Sequence, residues 1–181
     1  MKKAVFFCLI LVPFICTCAT TPSQPPTAKW EYEKDAITLT LKTDKQLNLK
    51  DRKPHTLVVC VYQLKSPNAF SQLAGDRSGL YKLLECQVFD PSVAVSKQII
   101  VNPGKDVNTK LDRAEGATYV AIVAGYYSIE KEKIVRIYKI PEVKEKKWLI
   151  MSSKTPKPGK LDINLILDPL QLQDPKPIKK P

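Results

Sequence analysis

The sequence predicts a mainly β domain, a two-sheet antiparallel β-sandwich carrying a small helical insertion. Three observations predict it. The run from Val58 to Lys65 has neither period-2 face wholly polar, with Leu57, Val59, Val61 and Gln63 on one side and Val58, Cys60, Tyr62 and Leu64 on the other, as a central strand between two layers requires. Thr118 to Ser128 has the same character. Seven or eight strands in all, most of them half-buried, follow one another at short spacing with no strand–helix alternation, which excludes a doubly wound α/β sheet.

The ends of the chain stand apart from this core. Met1-Lys2-Lys3 and the apolar run Ala4 to Ile15 form a secretory leader too short for a comfortable membrane span, so residues 1–17 read as a signal peptide and the chain as exported. From Cys18 to Asp35, Pro22, Pro25 and Pro26 favour extended, unpaired backbone, a tether between the leader and the folded domain of 36–173. Residues 174–181, prolines and lysines with one isoleucine, are expected to be disordered.

Within the domain, Ile37, Leu39 and Leu41 alternate with Thr38 and Thr40 as a half-buried strand. Lys42 to His55 is a long polar connection whose only large apolar residues are Leu47 and Leu49. After the central strand, Ser66-Pro67 offers an N-cap and a first-turn proline to a short helix, and Leu80, Leu83 and Leu84 make the stripe of a second one beginning at Ser78; together they form an insertion at about 67–86. Val93 to Val101 is a strand ended by the turn Asn102-Pro103-Gly104, and Val107, Thr109 and Leu111 alternate beyond it. Glu130 to Lys133 is a charged turn leading to a strand at Ile134 to Ile140, which Pro141 ends. Trp148 to Ile150 can form a short edge strand, and Leu161, Ile163, Leu165 and Leu167 alternate as the clearest half-buried strand of the chain.

Composition and motif spacing exclude more chemistry than they suggest. The single histidine, His55, ends a polar loop, and Cys60 and Cys86 have no histidines beside them, so neither a nucleophile–histidine system nor a metal-ligand cluster is present. Asp106 and Asp112 read as surface carboxylates, and the isolated Gly104, Gly116 and Gly125 form no phosphate-cradling loop. The expectation is a protein without enzymatic activity, metal or cofactor. A net charge of +11 is compatible with anionic partners, but the lysines are scattered without an aromatic-interleaved stripe and the chain is exported, which argues against nucleic acid. Of the five cysteines, Cys60 and Cys86 are left as either a disulfide permitted by an oxidising compartment or two buried apolar side chains.

The segment Ile15-Cys16-Thr17-Cys18, followed by Ala19 and the proline-rich tether, resembles a bacterial lipoprotein signal. That resemblance implies cleavage before Cys18, a diacylglyceryl thioether on its sulfur and acylation of the new amino terminus; Cys16 is the rival position, and Thr17 stands where a small residue is usual. Several acyl chains make such an anchor stable. Ala19 is not the aspartate that commonly holds lipoproteins in the inner membrane, which points to outer-membrane sorting.

Further features, in order, are Tyr62-Gln63-Leu64-Lys65 before a short helix with Phe70, the leucine-rich helix at Leu80 to Leu84, the Pro103-Gly104 turn, and Tyr119-Val120 running into Val123-Ala124 and Tyr126. Taken together they resemble the outer-membrane lipoprotein of the type VI secretion system, the TssJ or SciN-like family, over roughly Ile37 to Ile140. The resemblance implies a transthyretin-like sandwich at the periplasmic face of the outer membrane. It also implies a partner, the periplasmic C-terminal domain of the inner-membrane component TssM, and a role in assembling the envelope-spanning complex. The family's loop between its first two strands serves in docking, and the matching segment is Lys42 to Pro54. Its candidate contacts are Leu47, Asn48, Leu49, Lys50, Asp51, Arg52 and Lys53, where Leu47-Asn48 resembles the family's Leu-Asn and Asp51 to Lys53 stand where a glycine is expected. The other reading, an exported lipoprotein binding a small ligand or glycan in a sandwich cleft, would need grouped exposed aromatics. Tyr62, Tyr119 and Tyr126 fall in core strands, leaving Trp30 and Trp148 as candidates.

Overall fold

The computed structural model describes residues 27–144 and 156–175. The signal peptide, Cys16 and Cys18, the first part of the tether, the Trp148 to Ile150 segment and the end of the tail lie outside the described residues.

Two four-stranded sheets pack face to face. Strands β1 (Glu33–Thr43), β4 (Val107–Arg113), β9 (Leu161–Leu167) and β10 (Leu172–Gln173) form the first sheet in the order β10-β9-β1-β4. The second is β3-β2-β5-β6, from β2 (Leu57–Leu64), β3 (Val93–Val101), β5 (Tyr119–Ala124) and β6 (Val135–Lys139). A separate hairpin pairs β7 (Glu142–Lys144) with β8 (Pro156–Pro158). The predicted half-buried strand is β1, which begins three residues before Ala36, and the predicted central strand is β2, flanked by β3 and β5 and nearly buried throughout. Ile37, Leu39 and Leu41 meet Ile163, Leu165 and Leu167 and the inward residues of β2 and β5 in one apolar core.

One ladder departs from the antiparallel plan. β1 and β9 run parallel, with Ile37 beside Leu161 and Thr43 beside Leu167. A hairpin turn enforces antiparallel pairing only between sequence neighbours, and more than a hundred residues separate these two strands, so the chain can return to the same end before β9 begins.

The helical insertion makes a third, partial layer over the outer face of the second sheet. It consists of α1 (Asn68–Leu73) and α2 (Arg77–Leu83). Asp76 caps α2 by accepting the Gly79 N–H at 2.8 Å, so the helix begins at Arg77, one residue before the Ser78 start read from sequence; α1 begins at Asn68 with Pro67 as its N-cap and no side-chain cap hydrogen bond, and Ser66, expected to be the cap, only accepts the Asn68 N–H on Oγ at 3.4 Å. Gly79 lets the helices touch, because a Cβ there would lie 1.9 Å from the Leu73 carbonyl oxygen. Three links tie the insertion to β2. Tyr62 donates its hydroxyl to the Leu83 carbonyl at 2.5 Å, its ring meets Phe70 and Phe89 edge-on, and Cys60 is disulfide-bonded to Cys86. The cysteine alternatives are thereby resolved in favour of the bridge. The charged turn at 130–133 is in part helical, as α3 (Lys131–Ile134), with Ile134 buried.

Candidate docking surface

β1 joins two different ends of the sandwich. At about 3.3 Å per residue, its eleven residues separate the root of the tether from the β1–β2 loop by about 33 Å. Each end has its own polar framework.

At the tether end, Arg113 of β4 is buried. Its Nη2 donates to the Glu31 carbonyl at 3.0 Å, its Nη1 is ion-paired with Glu33 Oε2 at 2.8 Å though not aligned for a hydrogen bond, and the Trp30 ring lies 5.8 Å away. Asp112 takes the Tyr32 hydroxyl at 2.5 Å and the Asp35 N–H at 2.9 Å, and these bonds hold its carboxyl below the usual carboxylate range. The Trp30 carbonyl accepts the Gly116 N–H. Trp30 thus belongs to the framework that fixes where the chain enters the domain. A cavity of about 420 Å³ beside it is lined by Lys29, Tyr32, Arg113 and the β8 prolines.

At the other end, the β1–β2 loop is folded from within. Asp44 accepts the Gln46 N–H on its side chain and those of Leu47 and Gly104 on its carbonyl. Leu47 is fully buried. Asn48, 5% exposed, has φ of +50°, a left-handed conformation that asparagine tolerates better than most residues. Its Nδ2 donates to the Thr56 carbonyl and its Oδ1 accepts the Tyr127 N–H, both at 3.1 Å. The Leu49 N–H reaches the Pro169 carbonyl at 2.8 Å, tying the loop to the β9–β10 turn.

The tip is a small hairpin. Lys50 and Lys53 exchange both backbone hydrogen bonds, at 3.0 and 2.8 Å, and the two residues between them, Asp51 and Arg52, have φ of +50° and +60°. A two-residue loop with both central φ angles positive favours glycine or asparagine. A glycine-poor sequence here therefore holds a left-handed turn with charged side chains, which projects Lys50, Asp51, Arg52 and Lys53 into solvent. The seven predicted loop residues divide accordingly. Those four are exposed, Leu49 is half-buried, and Leu47 and Asn48 face inward and shape the loop from beneath.

Two residues that the loop sequence could not reveal join the tip. Tyr127, just past β5, is 50% exposed; Lys50 Nζ stands 4.6 Å from its ring centroid and the His55 ring meets it edge-on at 5.2 Å. Leu170, in the β9–β10 turn beside Pro169, is 57% exposed. The available signal for Tyr127 was the Tyr126-Tyr127 pair at a strand end, where one ring enters the core and its neighbour leaves it. Tyr126 is the buried member, its hydroxyl 3.0 and 2.9 Å from the Asp168 and Gln171 carbonyls. The surface is cationic and aromatic with an aliphatic neighbour; Tyr127 and Arg52 are residue types enriched in protein interfaces, and the lysines suit the polar rim of one.

Among the described residues no group of three His, Cys, Asp or Glu side chains could hold a metal ion. His55 has its Nδ1 buried without a hydrogen-bond partner and serves as packing for Tyr127. Asp106 accepts from Lys42 and Thr43 and belongs to the sheet edge, as a surface carboxylate would. The exposed tyrosines Tyr32, Tyr81 and Tyr127 lie at the tether, on α2 and at the loop end. They do not gather in the cleft a glycan site would need.

The family model of the type VI secretion lipoproteins (T6SS-SciN; VasD, EvfM, TssJ) matches residues 35–165, more than half of the chain. The chain belongs to the type VI secretion lipoprotein family. Solved structures share the family fold. The T6SS lipoprotein TssJ1 from Pseudomonas aeruginosa matches with a TM-score of 0.55 at 14% identity, over 84% of this chain and 100% of that one. The Serratia marcescens Lip protein, a membrane-bound component of the type VI secretion system, matches with a TM-score of 0.54 at 20% identity, over 78% of this chain and 98% of that one. A chain of the structure described as the T6SS protein TssM C-terminal domain from EAEC matches with a TM-score of 0.55 at 14% identity, over 78% of this chain and 98% of that one. No curated protein matches the chain significantly. At such identities the likeness carries the fold, and the family match, which spans β1 to β9 and their joining loops, carries the membership.

Proposed function

We propose that this family member is anchored through an acylated Cys18 at the periplasmic face of the outer membrane, and that its β1–β2 loop docks the periplasmic C-terminal domain of a TssM-like inner-membrane protein during assembly of the secretion complex. The observation that carries this reading is the opposition of the two ends of β1. Arg113 and Asp112 clamp the tether root at one end, and the loop tip with Lys50, Arg52, Lys53 and Tyr127 stands at the other. A protein built this way can be held at a membrane by its amino terminus while presenting a cationic, preorganised surface away from it. Preorganisation matters because a loop already fixed by Asn48 and Leu49 loses little conformational entropy on binding.

The test is a titration of the detergent-solubilised full chain against the periplasmic domain of its cognate partner, paired with fractionation of cells. Reversal of Lys50, Arg52 and Lys53 to glutamate is expected to weaken binding at least ten-fold with an unchanged thermal midpoint. Cys18→Ser is expected to release a folded domain from the membrane fraction. Unchanged affinity in the triple variant removes the loop from the interface, and membrane retention of Cys18→Ser removes the anchor.

A further inference from the structure

The two long sides of the sandwich are closed differently. On one side, side chains of β6 bond β10 and the residue after it, closing the gap between the sheets. Arg136 of β6 reaches Asp174 Oδ2 at 3.0 Å and the Leu172 carbonyl at 2.6 Å, and Tyr138 donates to Asp174 Oδ1 at 2.8 Å. On the other side, β3 and β4 are the last strands of their sheets, and among the described residues no strand borders either of them on its outer edge.

Between these two free edges runs a groove of about 330 Å³, lined by Val61, Gln63, Val95, Lys97, Lys110 and Leu111. Its floor is apolar. Gln63, 4% exposed, closes one end by bridging the sheets, donating to the Asp112 carbonyl and accepting the Ala114 N–H, each at 2.8 Å. The walls carry Lys97 and Lys110, both exposed, whereas Asp112 at the end of the groove is already engaged by Tyr32 and Asp35.

A free edge nine residues long is a template for strand addition, in which backbone hydrogen bonds supply affinity and alternate side chains supply specificity. The charges decide what can occupy it. Lys97 is the middle residue of β3, so symmetric antiparallel pairing of two copies would set Lys97 directly against its equivalent, and like charges opposed across a ladder are destabilising. The same lysine attracts an acidic strand.

We propose that the free edge of β3 receives an extended acidic segment of another protein as an added strand, with a carboxylate side chain entering the groove between Lys97 and Lys110. This surface lies along the side of the sandwich, separate from the β1–β2 loop tip, and its occupant is defined by backbone pairing and charge. Because both lysines are exposed, the interaction weakens with added salt.

The experiment uses the detergent-solubilised full chain and a fluorescent, end-capped nine-residue peptide of alternating valine and glutamate. The controls are an alternating valine–lysine peptide and a valine–glutamate peptide with a central proline. The expected result is saturable binding of the first peptide alone, protection from hydrogen exchange confined to amides of 93–101, and at least a ten-fold loss of affinity in the Lys97→Glu, Lys110→Glu double variant. Both changes are at exposed positions and leave the core intact, and the thermal midpoint of the double variant verifies folding. Absent binding, equal affinity for the lysine peptide or for the double variant, or protection outside β3 overturns the proposal. Concentration-dependent dimerisation by sedimentation, with the same β3 amides protected, assigns the edge to a second copy and also overturns it.

Discussion

The side-chain oxygen of Asn48 accepts the backbone N–H of Tyr127 at 3.1 Å, joining the β1–β2 loop to the segment that leaves β5. The same side chain donates to the Thr56 carbonyl, so one buried amide holds three segments in register. Asn48→Ala removes both bonds, leaves the partly buried Tyr127 N–H and Thr56 carbonyl without their side-chain partner and forces alanine into a left-handed conformation. The expected loss is about 2 to 3 kcal/mol of folding stability, read by chemical denaturation. Asn48→Asp keeps the acceptor for Tyr127 but sets a buried carboxylate oxygen against the Thr56 carbonyl, so it should not restore wild-type stability at neutral pH.

Tyr127 sits where loop, strand end and solvent meet, with Lys50 over its ring. Interface energy concentrates in such aromatic residues, and the cation–π contact itself contributes about 0.5 to 1 kcal/mol at an exposed site. Tyr127→Ala is expected to weaken partner binding ten-fold or more while shifting the thermal midpoint little. Tyr127→Phe should retain most of the affinity. A Tyr127→Ala variant that binds as wild type would show that the docking surface excludes this ring.

The Cys60–Cys86 disulfide spans 26 residues and encloses both helices of the insertion. On the loop-entropy scale, a bridge of this span contributes about 3.5 kcal/mol. Replacement of both cysteines by serine should lower the denaturant midpoint accordingly and raise hydrogen exchange in α1 and α2 before the strands of the second sheet. Equal exchange across the whole domain would indicate that the insertion is held by Tyr62 and packing alone.

Stability is expected to fall at alkaline pH. Burial, and then the nearby Glu85, pushes the Tyr62 hydroxyl up to about 12, and burial raises Tyr126 and Tyr138 as well. A folded-state pKa above the unfolded value means that the folded state binds the proton more tightly. The stabilisation is therefore complete below the ordinary tyrosine pKa near 10 and is lost as pH rises from 10 through 12. For Tyr62 the shift is equivalent to about 2 to 3 kcal/mol. Denaturation midpoints at pH 9 and pH 11.5 measure the slope, and Tyr62→Phe should flatten it.

Several elements were legible in the residues because each is governed by local periodicity. The alternation in Leu161 to Leu167 matches β9 residue for residue, and the two-faced apolar run at Val58 becomes a central strand with neighbours on both sides. The β1–β2 loop was legible as a long polar connection, but its inner and outer residues were not separable by composition. Leu47 and Asn48 lie within three residues of Lys50 in sequence and differ from it in the fold because the Asp44 carbonyl, Thr56 and Tyr127 supply their partners. Each helix starts one residue from its expected place, α2 at Arg77 because Asp76 meets the free N–H of Gly79, and α1 at Asn68, where no side chain caps the first turn.

By itself, the sequence determined the class of fold, the positions of its longer strands along the chain, the helical insertion and the absence of a recognisable catalytic or metal-binding motif, since these follow from side-chain period and residue type along a short window. Only the tertiary structure decided the parallel pairing of β1 with β9, the Cys60–Cys86 bond, the entry of Tyr127 and Leu170 into the loop surface, and the open β3–β4 side. Each depends on segments distant in the chain arriving at one place, and that convergence is set by the packing of the whole core, which no local pattern encodes.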